Sequence, residues 1–133
     1  MGKMHCFRLT RGADLRGAIH AYAKANGLQA AVPVACVGCV TDWRLRSADG
    51  QTVMEGSERA EIVSLTGTVS RYGIHLHLSL AREDLSVFGG HLLEGCIINT
   101  TAEIVLTEVD GAVFRRSYDP QTGYDELDIT CIE

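Results

Sequence analysis

Hydrophobic and polar positions alternate most cleanly between residues 74 and 81. Ile74, Leu76, Leu78 and Leu80 fall on one side of the period, and His75, His77, Ser79 and Ala81 on the other. A period of two predicts a strand with one face in a core. Further strands are predicted at His5–Leu9, at Ala30–Thr41, which is rich in Val and Cys, and at Trp43–Arg46, ended by the turn signal Asp49-Gly50. Glu61–Ser70 reads as a longer strand in which Gly67 marks a bulge or close packing. Gly95–Asn99 and Thr101–Val109 form another pair of strand segments, and Asp110-Gly111 turns the chain into Ala112–Ser117. Only one stretch has helical spacing: Leu15, Ala18, Ile19, Tyr22, Ala23 and Leu28, with Gly12 as the N-cap, Asp14 facing the helix dipole and Gly27 as the stop. The expected fold class is α+β, a mostly antiparallel sheet with one long helix, in a single domain over residues 1–133.

Composition narrows the function. The chain has 133 residues, 46% of them hydrophobic and 22% charged, enough apolar material for a core. Its net charge of -5 argues against a protein whose main task is gripping phosphates, because non-specific duplex binding draws on Lys and Arg. The twelve basic residues are scattered, and Arg44/Arg46 and Arg115/Arg116 are the only tight pairs. Five cysteines, an odd number, and no apolar export signal in the first ten residues lead to an expectation of free thiols and a cytoplasmic location. No run is long and apolar enough for a membrane span, so no membrane partner is expected.

Cys36 and Cys39 form a C-x-x-C, but a strand sends residues three apart to opposite faces and no second C-x-x-C completes a zinc ribbon. The histidines are more informative. His75 and His77 share a strand face with Cα atoms about 6–7 Å apart, within reach of one ion. His91 follows Gly89-Gly90, which permit the chain to swing it back to that face. Three imidazoles suit zinc or another divalent metal and leave a fourth position open. Packed, hydrogen-bonded histidines on a buried face or a subunit interface are the alternative. Glu61 and Glu94 are the carboxylates considered for catalytic or supporting roles, with simple solvation as the alternative. No nucleotide-binding glycine loop or nucleophile elbow occurs.

Four segments carry a resemblance. Glu61-Ile62-Val63-Ser64-Leu65-Thr66-Gly67-Thr68, His75-Leu76-His77-Leu78-Ser79, Gly89-Gly90-His91-Leu92 with Glu94-Gly95, and Thr100-Thr101-Ala102-Glu103-Ile104 appear in the order and approximate spacing of the PPC (plants and prokaryotes conserved) domain. The match is strongest over residues 5–118 and leaves 119–133 as a C-terminal tail. The chain resembles a freestanding prokaryotic member of that family, a group labelled DNA-binding by transfer. The resemblance implies a homotrimer and places the family's three histidines at His75, His77 and His91, where metal binding has been proposed. Plant members join the domain to AT-hooks, whereas no R-G-R-P sequence occurs here, and Ala60 stands where the family often has Phe. The expectation is a non-enzymatic trimeric module, DNA-associated by family label, with a three-histidine metal site. The alternatives are a zinc-dependent enzyme using the water of a three-histidine site, with Glu61 or Glu94 moving protons, and a small-ligand binder at a subunit interface.

Overall fold

A computed structural model of the chain describes residues 2–132; Met1 and Glu133, the ends of the expected domain and tail, lie outside the described residues. The elements are β1 (Met4–Thr10), α1 (Leu15–Ala25), β2 (Ala31–Arg46), β3 (Val53–Ser70), β4 (Gly73–Arg82), β5 (Val87–Leu92), β6 (Ile97–Glu108), β7 (Ala112–Asp119) and β8 (Tyr124–Cys131).

The helix is short, eleven residues rather than the long one expected. It starts late because the chain first turns at Gly12, which has φ +91°, and Ala13 N–H donates to the Thr10 carbonyl at 3.2 Å. Asp14, not Gly12, is the N-cap: its backbone is extended and its Oδ2 accepts from Gly17 N–H at 2.8 Å. The other Asp14 oxygen accepts from Gly95 N–H at 2.7 Å, tying the helix start to the turn before β6. Beyond the C-cap Asn26, Gly27 N–H reaches the Lys24 carbonyl and Leu28 N–H the Ala23 carbonyl, which closes the last turn at the expected glycine. Leu15, Ile19 and Ala23, four residues apart, form the fully buried stripe of the helix.

The main sheet is antiparallel throughout, in the order β1-β6-β2-β3-β4-β5. Its far edge folds back: β5 also pairs with the end of β2, Leu45 opposite Leu92 and Arg46 opposite His91. This closure joins β2, β3, β4 and β5 into a ring. It is possible because β2 is bulged between Val40 and Asp42 and so bends along its sixteen residues. The two strands predicted within β2 are therefore one bent strand, and those predicted on either side of Thr100 are one strand, β6. The core lies between α1 and the sheet's inner face. Ile74, Leu76, Leu78 and Leu80 point into it, none more than 8% exposed, as the alternation of β4 predicts. Each such side chain contributes roughly 1.5–3 kcal/mol by leaving water.

The tail is structured. β8 pairs with β7 from Ala112 opposite Cys131 to Asp119 opposite Tyr124, in a separate two-stranded sheet. This hairpin is fastened to the main sheet: Phe114 N–H donates to the Gln29 carbonyl at 2.8 Å, and Ser70 Oγ donates to the Phe114 carbonyl at 2.6 Å.

Candidate metal centre and its pocket

The register of two strands, β4 and β5, builds the histidine cluster. His77 stands directly opposite His91 across the β4–β5 pairing, and His75 lies two residues along β4 on the same face. Gly89 and Gly90 make this possible. A Cβ at Gly90 would sit 2.7 Å from the Arg46 carbonyl oxygen and 3.3 Å from Leu45 Cβ, so only glycine lets β5 wedge between β4 and β2. A Cβ at Gly67 would likewise collide with the His75 carbonyl, so glycine there lets β3 lie against the strand that carries the cluster.

The three rings lie close together. Centroid distances are 5.1 Å for His75–His77, 5.1 Å for His75–His91 and 5.8 Å for His77–His91. One ring nitrogen from each lies within 4.8 Å of the others, and this is the one His, Cys, Asp or Glu group of three with such geometry among the described residues. Nitrogens bound to a single zinc ion lie about 3.4 Å apart, from bond lengths of about 2.0–2.1 Å. A separation of 4.8 Å or less is compatible with that spacing after side-chain adjustment.

The donor chemistry fits a metal. His91 Nδ1 is buried with no hydrogen-bond partner, as is His20 Nε2 outside the cluster, whereas the two nitrogens of His5 contact Tyr22 Oη and Glu108 Oε2, both at 2.9 Å. Burial pulls the pKa of His91 down to about 4, helped by the positive charge of Arg46. Burial, then His77 and Arg116, also lowers the pKa of His75, and Glu126 opposes that shift. Both rings are neutral at neutral pH, the state in which imidazole offers a lone pair to a cation.

Neither carboxylate picked out by sequence joins the three-histidine group. Glu61 stands opposite Ala81, four residues from His77 along β4, and lines a different cavity with Cys39, Arg59 and Arg82. Glu94 is mostly exposed, with its Oε1 3.8 Å from Arg16 Nη1. The pocket beside the histidines is built instead from Arg16, Arg46, Arg116, Tyr124, Asp125 and Glu126 together with His75 and His91, around a cavity of about 450 Å³. Four of these residues come from β7 and β8. Of the four only Arg116 falls in a predicted strand, Ala112–Ser117; Tyr124, Asp125 and Glu126 lie in the tail, and nothing in the sequence says that the hairpin folds over β4.

Cys36 and Cys39 do not form a site. Cys36 packs against the core, and burial pushes its thiol up to about 11. Cys39 Sγ donates to the Asn99 carbonyl at 2.9 Å. No helix among the described residues is long and apolar enough to cross a membrane.

A family model of the Plants and Prokaryotes Conserved (PCC) domain matches residues 1–110. A bifunctional protein GlmU from Synechococcus sp. (strain JA-3-3Ab) is 41% identical over 127 residues, 96% of this chain and 20% of that protein, so the chain spans about a fifth of that relative's length. Among solved structures, a hypothetical protein from Salmonella cholerae-suis superposes with a TM-score of 0.93 at 34% identity, covering 98% of this chain and 95% of that one. A protein from Bacteroides thetaiotaomicron presented as a candidate DNA-binding protein gives a TM-score of 0.84 at 26% identity, covering 96% and 93%. A metal-containing protein from Archaeoglobus fulgidus gives 0.75 at 26% identity, covering 96% and 94%.

Proposed function

Because this chain belongs to the Plants and Prokaryotes Conserved (PCC) domain family, we propose that it is a self-associating module, a homotrimer, whose functional centre is a divalent-metal site held by His75, His77 and His91. The observation that carries the metal reading is the convergence of three ring nitrogens within 4.8 Å, one of the rings bearing a buried nitrogen with no other partner. The metal-containing relative from Archaeoglobus fulgidus is consistent with it. A divalent ion there would supply a Lewis-acidic centre with a position free for a ligand. The chain's own residues orient the three imidazoles through strand pairing, favour the neutral form of His75 and His91, and set a pocket beside them.

This reading is one of binding rather than turnover. Neither Glu61 nor Glu94 stands at the cluster, so the proton-handling groups that an enzyme reading assigned to them are not at the histidines. Self-association is supported by exposed apolar side chains: Val34 and Val37 on β2, Val63 on β3, and Leu85 and Val87 near the β4–β5 turn are each more than half exposed.

Light scattering on eluting protein at micromolar concentration tests the assembly. A mass three times the 14.4 kDa chain is expected, and a monomer alone contradicts it. Thermal melting in the same buffer with and without a chelator tests the metal. A lower melting temperature after chelation is expected, and an unchanged one contradicts it.

A further inference from the structure

We infer that the cavity beside the histidine cluster binds a small-molecule oxyanion, a carboxylate or phosphate group, through the guanidinium groups of Arg46 and Arg116, with Arg16 at its rim. The inference rests on the metal reading in one respect: the bound anion would sit within reach of the position that three histidines leave open.

Arginines from three separate elements converge on this one cavity, Arg16 from α1, Arg46 from the end of β2 and Arg116 from β7. A solvated surface run would place them along one strand or helix. Two of them make no close ion pair, although the charge of Glu126 acts on Arg116. Among the described residues no ion pair within 4.0 Å joins Arg46 or Arg116 to an acid, although Asp125 and Glu126 line the same cavity. Arg46 Nε is buried with no hydrogen-bond partner, so the protein itself does not saturate this guanidinium. Among the described residues Arg116 makes one side-chain hydrogen bond, Nη2 to Thr68 Oγ1 at 3.2 Å, which directs the guanidinium and leaves donors for a ligand.

The wall is also fixed. Arg46 packs over the Tyr124 ring, 5.6 Å from Cζ to the ring centroid, and Tyr124 Oη donates to the Gly50 carbonyl at 3.0 Å. The guanidinium is thereby held near the ring before a ligand arrives, and its fork of donors suits a carboxylate or phosphate. The cavity of about 450 Å³ is within the range of small-molecule sites and far from the extended groove that a nucleic acid backbone needs. Asp125 and Glu126 disfavour a polyanion and can accept from a hydroxyl or ammonium group on the same ligand. Arg116, Tyr124, Asp125 and Glu126 all lie beyond the segment 1–110 that the family model covers, so ligand choice is assigned to the C-terminal hairpin of this chain.

The test uses the full chain, first assayed for zinc uptake and then titrated calorimetrically with lactate or with inorganic phosphate. The expected result is saturable binding of one of the two by the zinc-loaded protein. It should be weakened at least about tenfold in Arg46→Met and Arg116→Met, which still take up zinc, and only partly restored in Arg116→Lys, which keeps the charge but not the planar fork. Binding of lactate alone or phosphate alone identifies the oxyanion. Equal affinity in all variants, or no binding of either probe at millimolar concentration to zinc-loaded protein, overturns the inference and leaves the metal reading standing. Failure to take up zinc is a failure of the metal reading. It is seen before any anion is added, and arginine-dependent binding by that same metal-free protein then decides the pocket separately. Far-ultraviolet circular dichroism confirms that the variants compared are folded.

Discussion

Cys96 is fully buried beneath the turn that leads into β6. Burial pushes its thiol up to about 11, and Cys36 is raised equally by the same cause. Cys6 and Cys131 are exposed. Because the thiolate is the reactive form, iodoacetamide at pH 8 should label Cys6 and Cys131 first and leave Cys36 and Cys96 protected until the chain unfolds. Peptide mass spectrometry against time checks this; equal labelling of all five cysteines contradicts the burial. The same shift sets a pH dependence. The folded state favours the protonated thiol, so the contribution of these two residues is complete below the ordinary thiol pKa of 9.0 and is lost as pH rises from there through about 11. Replacing Cys96 by Ala should flatten that alkaline loss in melting temperature, whatever it does to stability at pH 7.

Elements decide whether the histidines meet. β4 must run flush against β3 for His75 to be held, and Gly67 is where the backbones come too close for any side chain. Its φ of +145° is a second reason why alanine is strained there. Gly67→Ala is expected to cost on the order of 2–3 kcal/mol in urea unfolding and to weaken zinc binding, since the strand carrying two ligands has to shift. A variant with wild-type stability and wild-type zinc affinity contradicts this account of the close approach.

What the sequence made legible follows the same physics. The alternation along β4 is a local signal with one face in the core, so the two histidine positions could be read directly. Gly67 and Gly89-Gly90 could be read because a backbone that must pass close to another excludes every other residue. Arg46 and Arg116 could not be connected to the site. They are 70 residues apart, and what joins them is the bend of β2 at its bulge and the docking of the β7–β8 hairpin, both of which depend on tertiary packing. Glu61 and Glu94 looked close to the histidines because they sit in neighbouring segments of the chain. Register puts Glu61 across from Ala81, at the far end of β4. The helix came out shorter than expected because the Asp14 side chain caps it two residues after the Gly12 turn.

For the whole molecule, charge is the deciding quantity in the nucleic-acid question. At a net charge of -5, the fold does not gather the two basic pairs into one outer face. Arg46 and Arg116 line the histidine-side cavity, Arg44 Nε lies 3.6 Å from Glu55 Oε2, and Arg115 stacks over the Tyr72 ring at 4.5 Å. Duplex binding is therefore expected to be weak, salt-sensitive and indifferent to sequence. Nanomolar affinity for one defined duplex at physiological salt contradicts that, and Arg44, Arg46, Arg115 and Arg116 are then the first residues to replace.

The central claim concerns His75, His77 and His91, and zinc titration of protein made without a histidine tag and stripped by chelator tests it most directly. The wild-type chain should bind one zinc ion per chain and gain melting temperature on doing so. Affinity should fall as pH drops, because protons compete for the same lone pairs. His77→Ala, left with two protein ligands, should bind at least about tenfold more weakly and lose most of the thermal shift. Less than stoichiometric zinc in the wild-type chain, or an identical titration and melting shift in His77→Ala, contradicts the assignment and returns the three histidines to a structural role.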